Sequence, residues 1–240
     1  MLRRERMKQY FFILAAIGFL FVTNVSEAQD KGEFAAAQKQ NSEALKQYTW
    51  KSRTEIKVKG ESKNVKVEQV RYDIDGKRQK TEIGGSPEPQ SEKPKARRRG
   101  GGGRAKAKII EKKKKEFAEM MQALGKLVAS YGQIPPDKMQ AFVKNAQMSP
   151  GEGEQAGTMR IQGGDVLQPG DAMTLWIDPA SQMMKRVEIE TTLEEKPVTV
   201  VSEYQSLADG PTYQARSVVS YPAKEVELTV ENYDYQRVGS

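Results

Sequence analysis

The chain of 240 residues contains no histidine and no cysteine. That removes Ser-His-Asp and Cys-His nucleophile systems, imidazole or thiolate zinc centres, and disulfides. Catalysis would have to come from carboxylates, Lys, Tyr, Ser or Thr, and their spacing argues against it. Asp73-x-Asp75-Gly76 opens like a calcium loop but lacks the third acidic position and the distal glutamate. Asp-Gly marks a hairpin turn instead. Gly151-x-Gly153 follows no strand and opens no helix, so it is not a phosphate loop. Glu194 and Glu195 are adjacent in a turn, whereas acid/base work needs two carboxyl groups facing each other across a substrate. No catalytic residue, metal ligand or cofactor site is expected, and the chain reads as a non-enzyme.

Two groups of residues can still act without bond chemistry. Met120, Met121 and Met139 fall on helical segments, where flexible thioethers either fill gaps in a core or line an adaptable apolar surface. The second group is basic: Arg97, Arg98, Arg99, then Gly100–Gly103, Arg104, and the run Lys112, Lys113, Lys114 and Lys115. Without interleaved aromatic residues this run has no stacking platform for bases, so nucleic acid is not the expected partner. It reads as a solvated linker or as a contact for an anionic membrane surface or other polyanion, with the Lys112–Lys115 stems snorkelling beside an apolar helix face.

The elements that position these residues begin after an address. Arg3, Arg4, Arg6 and Lys8 precede the apolar stretch Tyr10–Val22, and Ser26-x-Ala28 has the small-x-small spacing of a cleavage site. Thirteen apolar residues make roughly 20 Å of helix, short of the roughly 30 Å of a bilayer core. The expectation is a signal peptide over residues 1–28, cleaved after Ala28, and an exported, periplasmic mature chain. No cysteine follows the apolar run to carry a lipid anchor.

Residues 29–83 read as a short amphipathic helix followed by three strands. In the first strand Trp50, Ile56 and Val58 share a face, and Lys51, Arg53, Glu55 and Lys57 point the other way. In the second strand the apolar phase changes near Glu68-Gln69, which predicts a bulge. Residues 84–108, with six Gly and three Pro, read as a disordered basic linker. The segment Gly84–Glu116 carries +8 and the first 28 residues +2, leaving −3 for the rest of a chain of net charge +7.

Residues 109–150 read as a helical insertion. Phe117, Met120, Met121, Leu124, Leu127, Val128 and Tyr131 form one stripe, and Pro135-Pro136-Asp137 opens a second helix carrying Phe142. Residues 151–240 read as six more strands joined by turns too short for anything but antiparallel neighbours. Val187 and Ile189 alternate with Glu188 and Glu190, giving one apolar and one charged face. The expected fold is α+β: a curved antiparallel meander of about nine strands, an incomplete barrel, with helices covering its concave face.

The order of elements, together with Leu175-Trp176-Ile177-Asp178-Pro179 followed by Met183-Met184-Lys185-Arg186-Val187-Glu188, resembles the periplasmic lipoprotein carrier and sorting family (LolA/LolB-like). The closing strands, down to Asn232-Tyr233-Asp234-Tyr235, resemble it too. The long basic linker is a departure from the carriers. The resemblance implies a half-barrel whose apolar interior holds the acyl chain of a lipid or lipoprotein, in a role such as outer-membrane lipoprotein sorting. It also implies an arginine early in the first strand, for which Arg53 is the nearest candidate. The residues expected to line the interior are Trp50, Ile56, Phe117, Met120, Met121, Leu124, Phe142, Leu175, Ile177, Val187 and Ile189. A fifteen-methylene chain offers up to roughly 12 kcal/mol of burial before ordering costs, ample for micromolar binding without any polar site chemistry. The alternative is an interaction protein docking to an anionic membrane surface or polyanion through its basic segment.

Overall fold

The structure, a computed structural model, describes residues 36–85, 103–208 and 210–239. The expected signal peptide and the linker residues Arg97, Arg98 and Arg99 lie outside the described residues. Helix α1 covers 36–45. It is followed by β1 (Tyr48–Val58), β2 (Glu61–Tyr72) and β3 (Arg78–Gly85), then α2 (Gly103–Tyr131) and α3 (Pro136–Asn145). The chain ends with β4 (Gln147–Pro150), β5 (Met159–Gly164), β6 (Ala172–Ile177), β7 (Met184–Leu193), β8 (Lys196–Ser206), β9 (Thr212–Tyr221) and β10 (Val226–Arg237).

All ten strands form one antiparallel sheet in the order β3-β2-β1-β10-β9-β8-β7-β6-β5-β4. The edge strands β3 and β4 do not pair with each other, so the barrel stays open. The first and last strands meet: Ile56 lies opposite Leu228 and Val58 opposite Val226. The chain between β3 and β4 must therefore travel from one edge of the sheet to the other. It does so on the concave face, as α2 and α3.

Three sequence expectations are corrected. Ten strands are present where about nine were expected, because Gln147–Pro150 pairs with Met159–Gln162 as the edge strand β4. Helix α2 starts at Gly103, inside the stretch read as linker. Arg, Ala and Lys are good helix formers, and five of them follow the glycines directly. The phase change in β2 is no bulge against β1, to which β2 pairs without interruption from Val70 to Asn64. An irregularity is present at the expected place, between Val67 and Glu68, but it lies in the β2–β3 pairing with Ile83 of β3 as the extra residue; β1–β2 shifts register only farther along, between Ile56 and Lys57. Val65 and Val67 consequently point outward with Arg53 and Glu55, and Lys66 and Glu68 point inward.

The closed part of the core sits over β5–β9. Ile161, Met173, Leu175, Ile177, Val187, Ile189, Val198, Val200, Val219 and Tyr221 supply the sheet side, and Leu124, Tyr131 and Phe142 supply the helix side. Helix α3 opens on Pro136, whose missing N–H is harmless in a first turn, and seats its one buried side chain, Phe142, on Gly163. A Cβ at Gly163 would stand 3.0 Å from the Phe142 ring, so any larger residue there would make the ring shift by a few tenths of an ångström.

Helix α1 closes one end of the half-barrel. The Asn41 side chain donates to the Thr212 carbonyl at 2.7 Å and accepts from the Thr212 N–H at 2.6 Å, and Gln38 donates to the Gln182 carbonyl at 3.1 Å. The outer face of β1 and β10 carries a ladder of exposed ion pairs: Lys51–Asp234, Arg53–Glu231, Lys57–Glu227 and Lys59–Glu225. Each such pair contributes well under 1 kcal/mol, but the ladder makes the joint between first and last strands selective in register.

Candidate functional site: a helix-covered groove at the open mouth

The end of the half-barrel opposite α1 is rimmed by hairpin tips. Lys59-Gly60 closes β1–β2, Glu194-Glu195 closes β7–β8, and Pro222–Glu225 closes β9–β10. Non-glycine residues at φ near +50° to +60° (Lys59, Glu194, Glu195, Glu225) set these turns, and so their side chains project at the rim. Helix α2 leaves the barrel between them. Where it passes the rim it leaves a groove of about 460 Å³ with Val58, Val226, Phe117 and Met120 on its apolar walls and Glu116, Glu119, Glu194 and Lys224 around them.

Helix α2 is amphipathic from Ile109 onward, and its C-terminal half is the packed part. Leu124 is fully buried and Tyr131 buried, and Met120, Met121, Leu127 and Val128 are half-buried against the same cluster. Polar fixing of the helix occurs at its far end. The Tyr131 hydroxyl donates to an Asp171 carboxylate oxygen at 2.6 Å and lies 2.8 Å from the Thr191 hydroxyl. Asp171 also accepts from the backbone N–H groups of Val166 (2.6 Å), Leu167 (2.9 Å) and Gln168 (3.1 Å). Burial alone would raise the Asp171 pKa, but the Tyr131 hydroxyl and the three N–H groups outweigh it and hold the carboxyl below the usual aspartate range. The Tyr131 phenol is pushed up, by burial first and by its bond to Asp171 second. Tyr131 therefore stays a neutral donor, and it tethers α2 at its C-terminal end.

The expected lining residues divide into three groups. Leu124, Phe142, Leu175, Ile177, Val187 and Ile189 meet in the closed core beneath α2 and α3. Met120 and Phe117 stand at the groove, with Met121 half-buried beside them and Phe117 38% exposed. Ile56 is half-buried on the concave face next to Leu228, outside the closed core. Trp50 belongs elsewhere. It is buried between Tyr235, stacked at 5.4 Å and 7°, and Tyr72 at 5.7 Å, next to a niche of about 180 Å³.

The concave face is not apolar throughout, which the alternation pattern did not reveal. Under β1–β3 the buried Glu68 is held by Lys66 at 2.7 Å and Lys80 at 3.5 Å. Burial would raise the Glu68 carboxyl, and the two ammonium groups bring it below its ordinary value. Ser202 and Ser217, both buried, meet at 3.0 Å, and Gln214 donates to Ser202 at 2.8 Å. Arg53 is on the convex face, bonded to Glu55 at 2.9 Å and Glu231 at 3.2 Å, away from the interior. Lys112, Lys113, Lys114 and Lys115 are exposed on α2, and Arg104 lies in its first turn. Among the described residues, no group of three or more acidic side chains is placed to hold a metal ion.

The Leu175–Glu188 hairpin has a structural explanation. Leu175 and Ile177 enter the core, while Trp176 lies on the outer face beneath Arg186, whose guanidinium carbon is 5.8 Å from the ring centre. Asp178 accepts from the Ala180 and Ser181 N–H groups at 3.0 Å and so shapes the turn.

A solved structure that this chain resembles is a LolA superfamily protein from Nitrosomonas europaea. The alignment covers 85% of this chain and 94% of that one, at 8% identity and a TM-score of 0.34. No protein-family model matches the chain, and no curated protein does.

Proposed function

We propose that this is an exported, periplasmic, non-enzymatic protein that holds the acyl chain of a lipid or lipoprotein on the apolar concave face of its half-barrel, beneath α2, with outer-membrane lipoprotein sorting as the corresponding role. The observation that carries this reading is the mouth groove. Of its apolar walls, Val226 belongs to the core cluster of Leu124, Leu175 and Ile189, and Val58 and Met120 pack against that cluster, with Phe117 exposed at the entrance. An acyl chain entering there would replace side chains of α2 by methylenes.

The energies are comparable. The part of the α2 stripe that lifts comprises five large side chains, Leu124 fully buried and Met120, Met121, Leu127 and Val128 half-buried, at up to roughly 1.5–3 kcal/mol each. A fifteen-methylene chain contributes up to about 12 kcal/mol. The exchange is therefore nearly balanced, which is what reversible loading requires. Because the tether at Tyr131 lies at the far end of α2, the helix swings from its groove end without unfolding.

Titration of the purified mature chain with a fluorescent sixteen-carbon fatty acid tests the reading. Saturable binding at micromolar or lower probe concentration is expected, and Met120→Glu, which puts a charge on the groove wall, should weaken it at least tenfold. A chain that stays folded and binds no probe refutes the proposal.

A further inference from the structure

Helix α2 is much longer than the core needs. Every residue from Lys108 to Glu119 is exposed, and about 12 Å of helix, from Lys108 to Lys115, stands clear of the sheet before α2 reaches the groove. A solvated overhang would be polar on all sides. This one continues the apolar stripe of the buried half: Ile109 is 57% exposed, Ile110 56% and Phe117 38%. At 100° per residue these three fall on the same side as Leu124 and Tyr131; Lys113 falls between Ile109 and Phe117 on that side, and Lys114 stands at its edge.

The charges of the overhang are unusual. Residues 104–119 hold seven Lys and Arg against Glu111, Glu116 and Glu119, a net of +4. The only ion pairs described there are the long, exposed Lys112–Glu116 and Lys115–Glu119 contacts at 3.8 Å. No acid stands in the first turn, and Arg104 and Lys106 occupy it instead. Cations at a helix N-terminus oppose the macrodipole, so Arg104 and Lys106 weaken the start of the isolated helix. An anionic surface reverses that sign.

We infer that the α2 overhang is a membrane-docking helix: it lies in the headgroup layer of an anionic phospholipid bilayer, with Ile109, Ile110 and Phe117 inserted and Lys112–Lys114 on the headgroup phosphates. A short amphipathic helix with large apolar residues on one face and lysines beside them has the composition of an interfacial helix, and charge complementarity identifies its partner. The overhang ends at Phe117, which is also a wall of the mouth groove. Docking therefore places the groove at the membrane surface, where an acyl chain would enter or leave. That last point rests on the proposed acyl-chain function, and the docking itself does not.

The test is flotation of the mature chain with vesicles of phosphatidylcholine containing about one-third phosphatidylglycerol, beside pure phosphatidylcholine, at low and moderate salt. Binding to the anionic vesicles alone is expected, weakening with salt. Lys112→Gln/Lys113→Gln/Lys114→Gln should weaken it on the order of 100-fold, about fivefold per cation. Ile109→Ser/Ile110→Ser should weaken it at least tenfold. Both variants alter exposed residues and should keep the parental melting temperature and fatty-acid titration. Unchanged vesicle binding in either variant, or equal binding to neutral vesicles, overturns the inference. So does self-association that Ile109→Ser/Ile110→Ser abolishes in a chain that ignores vesicles, which would make a second copy the occupant. Vesicle binding without fatty-acid binding leaves the docking helix standing and removes the carrier reading.

Discussion

Replacing Tyr131 by Phe separates the tether of α2 from its packing. The ring is 8% exposed and keeps its volume in the variant, so no cavity forms. What is lost is the 2.6 Å hydroxyl bond to the Asp171 carboxylate. A hydrogen bond to a charged acceptor contributes about 1.5–3 kcal/mol. For a chain of this size a central value of about 2 kcal/mol lowers the melting temperature by roughly 4–8 °C. The coupling is read from a double-mutant cycle with Asp171→Ala in urea unfolding. The double variant should be more stable than the sum of the two single losses implies, by at least about 1 kcal/mol. A hinge at this end makes a second, independent demand. The bond persists when the groove end lifts, so the association rate of a fluorescent fatty acid should change by less than about threefold. If α2 lifted at both ends, the same 2 kcal/mol would raise the open population about 30-fold. An unchanged melting temperature or an additive cycle refutes the tether, and a rate increase of tenfold or more refutes the hinge.

Three further outcomes follow from the geometry. Leu124→Ala, at the fully buried centre of the α2 stripe, should lose about 2–5 kcal/mol in urea unfolding. Arg53→Leu should cost less than about 1 kcal/mol and leave fatty-acid binding unchanged, because its pairs with Glu55 and Glu231 lie on the convex face. Asp171 has its folded-state pKa held below the unfolded value, so its stabilisation is present above the ordinary aspartate range and is lost as pH falls through the lowered value. Asp171→Asn should therefore be less stable than the parent at pH 7, and thermal melts should show the difference shrinking as pH falls below the ordinary aspartate range. A gap that stays constant with pH contradicts the assignment.

Much of the sheet was legible because one-sided burial imposes alternation. Leu175, Ile177, Val187 and Ile189 face inward as their spacing requires, and Pro135-Pro136-Asp137 opens α3 where such a triplet should. Strand β4 was not legible, since Gln147-Met148-Ser149-Pro150 has neither alternation nor β-branched residues and exists through its pairing with β5. The inward turn of Lys66 and Glu68 was hidden for a different reason. The buried Glu68 is tolerated because Lys66 and Lys80 both pair with it, and pattern reading treats charges singly. Phe117 and Met120 were readable as an apolar stripe, but Val58, Glu194 and Lys224 come from hairpins far apart in the chain. The groove is a product of sheet order, in which β1 pairs with β10, and no local signal encodes it. The start of α2 was obscured because glycines and like charges resemble a linker, and helix propensity prevailed over both.

The central claim is that α2 is a displaceable cover over an apolar face that accepts an acyl chain. With no native cysteine in the chain, spin labels can be placed at two exposed sites, Gln122→Cys on α2 and Lys196→Cys at the β7–β8 tip, and their separation measured by double electron–electron resonance with and without a sixteen-carbon fatty acid. A single distance without ligand, giving way to a second and longer one as fatty acid is added, is the predicted result. One unchanged distance under conditions where the fatty acid is bound would contradict it.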